Sequence, residues 1–590
     1  MTAQTPSSAA LRRAALLVVL ALFAVAGLAT SASGSAPNAS AAPPGGYVVR
    51  ARPGQERAAE ALVRRLGGTI RERLEIINGF SAALPARTLT TLRSSRTVLS
   101  VTPNRRLAPQ GSSYSAAYDP SQDGYSLANI TQLTGARAWW SAGYTGAGVG
   151  VALIDSGVAP VQGLADPGKV VYGPDLSLES QAQNLQNLDT YGHGTFMAGL
   201  IAGRDAAPSP TAPASTYLGM APGAQIVSLK VGDADGGTDV VQVIAAIDWV
   251  VQHRNDNGLN IRVINLSYGT NSTQNYQSDP LAFAAEQAWK AGIVVVAATG
   301  NTGYQRGKGA PGLADPAYDP FVIAVAGADT MGSTNPKNSV MASYSASSGG
   351  CGSCKNPDFA APSAHMQGLR VPNSFIDANH PEGLLSSRYF RGSGTSEATA
   401  ITSGAIALVL QKYPGLSPDG VKKFFTAHTF KIAGADTQAQ GAGEFQLGPM
   451  LTSNPAPGQQ QKFKDSTGAG TIEGSRGSDH LTRDGVVLSG EEDIFGAPLS
   501  SSTLANAEAN GDSWSGGFWN GNSWSGNSWS GSTWSGSTWS GNSWSGSTWS
   551  SSQWAGNTWS GSTWSGSTWS GSSWSGSSWS GGSWAGAFWG

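Results

Sequence analysis

"GVGVALID", residues 148–155, is an apolar run closed by a carboxylate. A strand buried on both faces reads as continuous hydrophobic residues, and a charge at its end costs desolvation unless something pairs with it. Four more β-rich runs follow: "QIVSLKVG" (225–232), "IRVINLSYG" (261–269), "GIVVVAATGN" (292–301) and "FVIAVAGAD" (321–329). Between several of them lie stretches of helical period, such as "DVVQVIAAIDWVVQHRN" (239–255) and "PLAFAAEQAWKAG" (280–292). Apolar strands alternating with helices predict an α/β domain with a parallel sheet covered on both faces, here over 115–452. In such sheets, chemistry sits outside the carboxyl ends of the strands.

Reactive side chains fall at those ends. Asp155 closes the first strand; its natural partner is a histidine, and capping of the next turn is the alternative. His193 stands between two glycines in "YGHGTFMAGLIAG" (191–203), ahead of small residues at helical spacing. Only six histidines exist in the chain, and none of the others has this setting. Ser396 lies where "GSGTS" meets the helical run 397–412. A helix start offers free N–H groups and the positive end of the dipole, which suit an oxyanion, although a capping serine reads the same way. Asn301 ends "AATGN" (297–301) and brings an amide donor to the same edge, as a tetrahedral oxyanion requires.

The order Asp, His, Asn, Ser, carried by "LIDSGV", "GHGTFMAGLIAG", "INLSYGT", "AATGN" and "GTSEATA", resembles the subtilisin-like (S8) serine peptidases over roughly 280 residues. The resemblance implies a subtilisin-like parallel sheet, an Asp155–His193–Ser396 triad, and Asn301 as oxyanion donor. It also implies that Ser267, Tyr268, Gly269 and Gly236, Gly237, Thr238 form backbone rails gripping an extended protein or peptide substrate. Two departures stand beside the serine. Glu397 and Ala400 replace the methionine and proline usual there. Glu397, in the first helical turn, is expected to face away from the site. The segment 341–391 is longer than usual in the family and is expected to border the cleft. Calcium commonly supports the family, but "GDADGGTD" (232–239) lacks the spacing of a known loop. No calcium ligands are assigned, no other metal is expected, and the chemistry requires no cofactor.

The flanks have their own signatures. Arg12 and Arg13 precede an apolar run from Ala14 to Ala29, too short for a bilayer span, so 1–32 reads as an export signal and the protein as secreted. Residues 33–46 read as a linker. Residues 47–106 hold twelve arginines against four glutamates, in a chain of net charge -2. No aromatic nucleic-acid motif accompanies them, so docking within the chain is expected rather than nucleic-acid binding. The order β-α-β-β-α-β over 47–107 predicts a ferredoxin-like α+β unit. It resembles the inhibitor I9 propeptide of the same peptidases, which implies an intramolecular inhibitor cut off within 103–115. Cys351 and Cys354 are the only cysteines, and in an exported chain they are expected to form a local disulfide. Residues 453–512 read as a linker region with short strands, expected in "GTIEGSR" (470–476) and "DHLTRDGVVLSGEEDIFG" (479–496). From 513 to 590 a Trp-Ser-Gly pentapeptide repeats and carries sixteen of the twenty tryptophans. Stacked aromatics suit sugar rings, so attachment to cell-wall polysaccharide is the expectation for this low-complexity tail. The whole reads as a secreted, autoprocessed serine endopeptidase. The alternative is a cell-surface binding protein whose peptidase-like domain is inert or cuts only itself.

Overall fold

The computed structural model describes residues 45–74, 77–103, 118–181, 185–305, 310–349, 354–456, 460–483, 486–494 and 498–510, with short strands between 523 and 543. The expected signal segment, most of the first linker, the cut region, Cys351 and the side chains of the tryptophan tail lie outside the described residues. The chain divides into two units at Gln110 and Gly111.

In the first unit, strand β1 (Gly45–Ala51) is followed by helix Glu56–Arg65, β2 (Thr69–Leu74), β3 (Gly79–Leu84), helix Leu89–Arg93 and β4 (Val98–Pro103). The antiparallel sheet has the order β2-β3-β1-β4. Its core is small: Val49, Ala59, Val63, Phe80, Leu84 and Leu92 are fully buried. Along the helix, Ala59 and Val63 are spaced by one turn and face the sheet, while its arginines stay in solvent.

The second unit is built on a ten-stranded, mostly parallel sheet. Its strands are β5 (Gly150–Asp155), β6 (Val170–Asp175), β7 (Gln225–Lys230), β8 (Ile261–Leu266), β9 (Val294–Ala298), β10 (Ile323–Asp329), β11 (Val340–Met341), β12 (Phe359–Pro362), β15 (Thr429–Phe430) and β16 (Glu444–Phe445). Their order is β15-β16-β12-β10-β9-β8-β5-β7-β6, with β11 beside β10. A separate hairpin, β13 (Met366–Leu369) with β14 (Tyr389–Gly392), stands off the sheet. The chain fills one side of β5 with β7 and β6, then crosses to the other side for β8, β9 and β10. That reversal places a crevice at the carboxyl end of β5, where Asp155 sits. Every residue of β5 is buried, as its unbroken apolar run demands. Helix Val240–His253 starts at Asp239, whose carboxylate accepts from Val241 N while Gln242 reaches back to Asp239 N at 2.7 Å.

Residues 460–510 differ from the expected linker. The expected short strands include Thr482–Arg483 and Val486–Val487, but "GTIEGSR" is a helix, Ile472–Arg476, because Thr471 Oγ1 accepts from Gly474 N at 2.9 Å and caps it. The segment is packed onto the sheet unit. Arg476 is fully buried, and its Nε donates to Asp239 Oδ2 at 2.7 Å.

Candidate active site

Asp155 is held before any substrate arrives. Its Oδ1 accepts from Ser156 N at 2.8 Å, and the residue is 8% exposed. His193 begins helix His193–Ala202, and its Nδ1 lies 2.8 Å from Asp155 Oδ1 and 3.0 Å from Oδ2. Helix and strand meet this closely because residue 194 is glycine: a Cβ there would stand 2.1 Å from Gly157 O. The helix start is anchored by Asp189, a residue the sequence reading did not single out. Its carboxylate accepts from Gly192 N at 2.6 Å, Thr195 N at 2.7 Å and Ser156 Oγ at 2.9 Å. An aspartate a few residues ahead of a helix is a capping signal, and that signal was available in the sequence. Beneath the pair, buried Lys230 bonds Ser156 O and Glu179, both at 2.9 Å.

Burial pulls the His193 pKa down, but the Asp155 charge and hydrogen bond, with Glu397 and Asp189 beyond, outweigh it and raise it to about 9. The Asp155 bond occupies Nδ1, which leaves Nε2 as the nitrogen for proton transfer.

Ser396 is the second residue of helix Thr395–Lys412. Its Oγ donates to Ser267 O at 3.3 Å, and Ser267 Oγ donates to Ser396 O at 3.0 Å. The hydroxyl therefore points at the strand-end carbonyl rather than at His193. A serine has three staggered wells about χ1, so this orientation of Oγ is one of three open to it. Asn301 is fixed by its oxygen: Oδ1 accepts from Thr395 N at 2.9 Å and Thr395 Oγ1 at 3.1 Å. Its NH2 group is thereby left to donate. Ser267, Tyr268, Gly269, Asn301 and Ser396 line one cavity of about 430 Å³. Gly236 and Gly237 do not line it; they pack against the Tyr191 ring and Leu481.

Glu397 corrects the expectation that it faces away. The helix starts at Thr395, two residues earlier than the reading assumed, so Glu397 is its third residue and turns inward, 5% exposed. With His193 it lines a second cavity, of about 80 Å³. Leu369, Val371, Ile376 and Asp377, from the long 341–391 segment, form the opposite wall. Cys354 is disulfide-bonded. No group of three or more His, Cys, Asp or Glu side chains among the described residues is arranged to hold a metal ion.

An acid, an imidazole and a serine at the carboxyl edge of a parallel sheet is an arrangement of nucleophilic hydrolases. Residues 146–470 match the subtilase family, Peptidase_S8, and the chain belongs to that family of serine endopeptidases. It is 34% identical over 318 residues to the serine protease AprX of Bacillus subtilis (strain 168), covering 53% of this chain and 67% of that protein. It is 32% identical over 281 residues to subtilisin DY of Bacillus licheniformis, covering 48% and 83%. The minor extracellular protease Epr of Bacillus subtilis (strain 168) is 29% identical over 329 residues, but only 42% of its length is spanned.

The pinned amide makes Asn301 a direct test of the oxyanion role. Asn301→Ala should lower kcat by about 10²–10³ with KM little changed, a magnitude carried over from subtilisin, the standard case of this effect. Steady-state kinetics on a peptide ester check it, and a loss under threefold would remove Asn301 from the reaction.

Proposed function

We propose that the chain is an exported endopeptidase, made as a self-inhibited precursor, that cleaves peptide bonds through Ser396, His193 and Asp155. The observation that carries this reading is the imidazole of His193, fixed by a buried carboxylate beside the helix that presents Ser396. Ser396 Oγ attacks the substrate carbonyl and gives its proton to His193 Nε2. The new C–O bond drives the carbonyl oxygen negative, where Asn301 and the Ser396 N–H donate to it. The C–N bond then breaks, and the amine leaves with the proton from His193. Water repeats the cycle on the acyl-enzyme and releases the acid. Asp155 stays ionised throughout and stabilises the imidazolium. No cofactor takes part, and a supporting calcium ion remains without assigned ligands.

The basic unit 47–107 acts as the inhibitor, a role its charge excess over an acidic remainder supports. The tryptophan tail binds cell-wall polysaccharide. A fluorophosphonate probe tests both halves of the reading. Mature full-length protein should be labelled and Ser396→Ala should not. A chain lacking 513–590 should label equally well but leave the cell surface. Absence of labelling in mature wild type would favour the inert surface protein, and unchanged retention of the shortened chain would refute the tail's role.

The raised His193 pKa sets the pH dependence. A protonated imidazole cannot accept the Ser396 proton, so activity is lost as pH falls through the folded-state value. The ratio kcat/KM, which reports the free enzyme, should therefore rise with pH and reach half its maximum near 9. A flat profile between pH 6 and 10 would contradict the role of His193 as base.

A further inference from the structure

Glu397 is a carboxyl group in an unusual place. It follows the nucleophile, lies inside the protein, and no other side chain among the described residues hydrogen-bonds to it. The structure makes room for it: a Cβ on residue 392 would stand 2.4 Å from Glu397 Oε1, and one on residue 394 would stand 3.0 Å from Oε2. Gly392 and Gly394 are thus the floor on which the carboxylate rests. Burial raises its pKa to about 7, against the charge of His193, which lowers it; Asp155 raises it further. An acid kept in this position without a cation is costly, unless a cation arrives with something else.

The cations nearby are each held by another carboxylate. Arg370 is committed to Asp377, with Nη2 at 2.8 Å from Oδ2, and Arg391 is committed to Asp123 at 2.9 Å. His193 is bound to Asp155, and Asp189 lies deeper and is itself anionic or neutral. The remaining lining is mixed: Phe196, Leu369, Ile376 and Phe390 are apolar, while Arg370, Ser374, Asp377 and Arg391 are polar. With each arginine paired to an aspartate, the result is a largely apolar sleeve whose unpaired carboxylate among the described residues is Glu397. Such a sleeve suits a long aliphatic side chain that ends in a cation.

Its position relative to the chemistry says which residue enters. The rail residues, Asn301 and Ser396 line the other cavity, so the acyl half of the substrate belongs there. The cavity beside Glu397 contains His193 and no rail residue. His193 hands its proton to the leaving amine, so the leaving half passes along this side.

We propose that Glu397 makes this cavity a subsite selective for lysine or arginine at the first residue after the cleaved bond. The subsite rests on the peptidase reading above and adds the substrate class to it. The carboxylate is a binding group: it touches the side chain next to the reacting carbonyl and takes no part in the proton transfers.

The test is digestion of reduced β-casein at pH 8.5 by mature full-length protein, with mass spectrometry of the new N-termini. Lysine and arginine together should occur there at least threefold more often than in the substrate. In Glu397→Gln the enrichment should fall to composition, while the residues before the cut keep their distribution. Glu397→Met, a second neutral variant, should lose the same enrichment, which covers the case of one variant that does not fold. Equal cleavage before all residues in wild type, or enrichment that survives in both Glu397→Gln and Glu397→Met, would overturn the subsite alone. No cleavage at all, with no fluorophosphonate labelling, would overturn the peptidase reading and the subsite with it.

Discussion

Ser396→Ala should be recovered at precursor size, with the unit 47–107 still attached, and should hydrolyse peptide esters about 10⁶-fold more slowly than the mature parent. That factor is known from subtilisin and is carried over to this chain by family membership. The physical argument is that the three groups act as one. Without Oγ no acyl-enzyme forms, and neither the imidazole nor Asp155 has a proton to manage. What remains is the polarising effect of Asn301 and the helix-end N–H on a water attack. The same hydroxyl is required for removal of the inhibitor unit if the chain processes itself, so size and rate should fail together. Their separation is informative. A mature-sized but inactive Ser396→Ala protein would assign processing to another protease, while leaving the triad intact. A precursor-sized protein with near-normal hydrolysis would deny Ser396 the role of nucleophile. Intact mass and ester hydrolysis, measured on one preparation, distinguish these outcomes.

The sheet was legible because its strands are apolar throughout: Val151, Ala152, Leu153 and Ile154 are all buried, and only a sheet covered on both faces accepts such a run. Asp155, His193, Asn301 and Ser396 stood out as candidates because each lies at or near the end of a regular element, where the residue type is unexpected for packing. Glu397 was not legible in its orientation. A carboxylate in a first helical turn is favoured by the dipole whichever way it faces, and its inward turn depends on space left by Gly392, at the end of the hairpin strand just before the helix. Gly236 and Gly237 were read as rails by resemblance, and they are not among the residues that line the cavity at Ser396. Asp189 carried a capping signal in the sequence, but its bond to the Ser156 side chain, which ties that cap to the strand bearing Asp155, arises only once strand and helix are in place.

The segment after residue 453 was misread for a related reason, and it carries the largest expected stability effect. Ile472 and Leu504 join the apolar core, and a buried ion pair adds a polar tie to the sheet unit. Arg476 is fully buried, with Nε on Asp239 Oδ2 at 2.7 Å and Nη2 on Oδ1 at 3.3 Å, and it also donates to the carbonyls of Gly490 and Glu492. Composition alone shows a polar, glycine-containing stretch, and nothing in it announces a buried guanidinium. Arg476→Ala removes one partner of a buried pair and leaves Asp239 charged inside the protein. The expected loss is about 3–5 kcal/mol, the range for breaking such a pair. Denaturant unfolding in the Ser396→Ala background, which prevents self-digestion, measures it. Asp239 also caps helix Val240–His253, so Asp239→Ser keeps a cap while removing the charge. In the double variant the orphaned charge is gone, and the loss should fall short of the sum of the single losses by about 1–3 kcal/mol. The same logic places the end of the folding unit beyond residue 493, where Asp493 is still fully buried. A chain stopped at 452 should therefore unfold at markedly lower denaturant than one stopped at 512. If Arg476→Ala and the 452 truncation both unfold within about 0.5 kcal/mol of the parent, the segment is an ornament on the surface and the boundary belongs at 452.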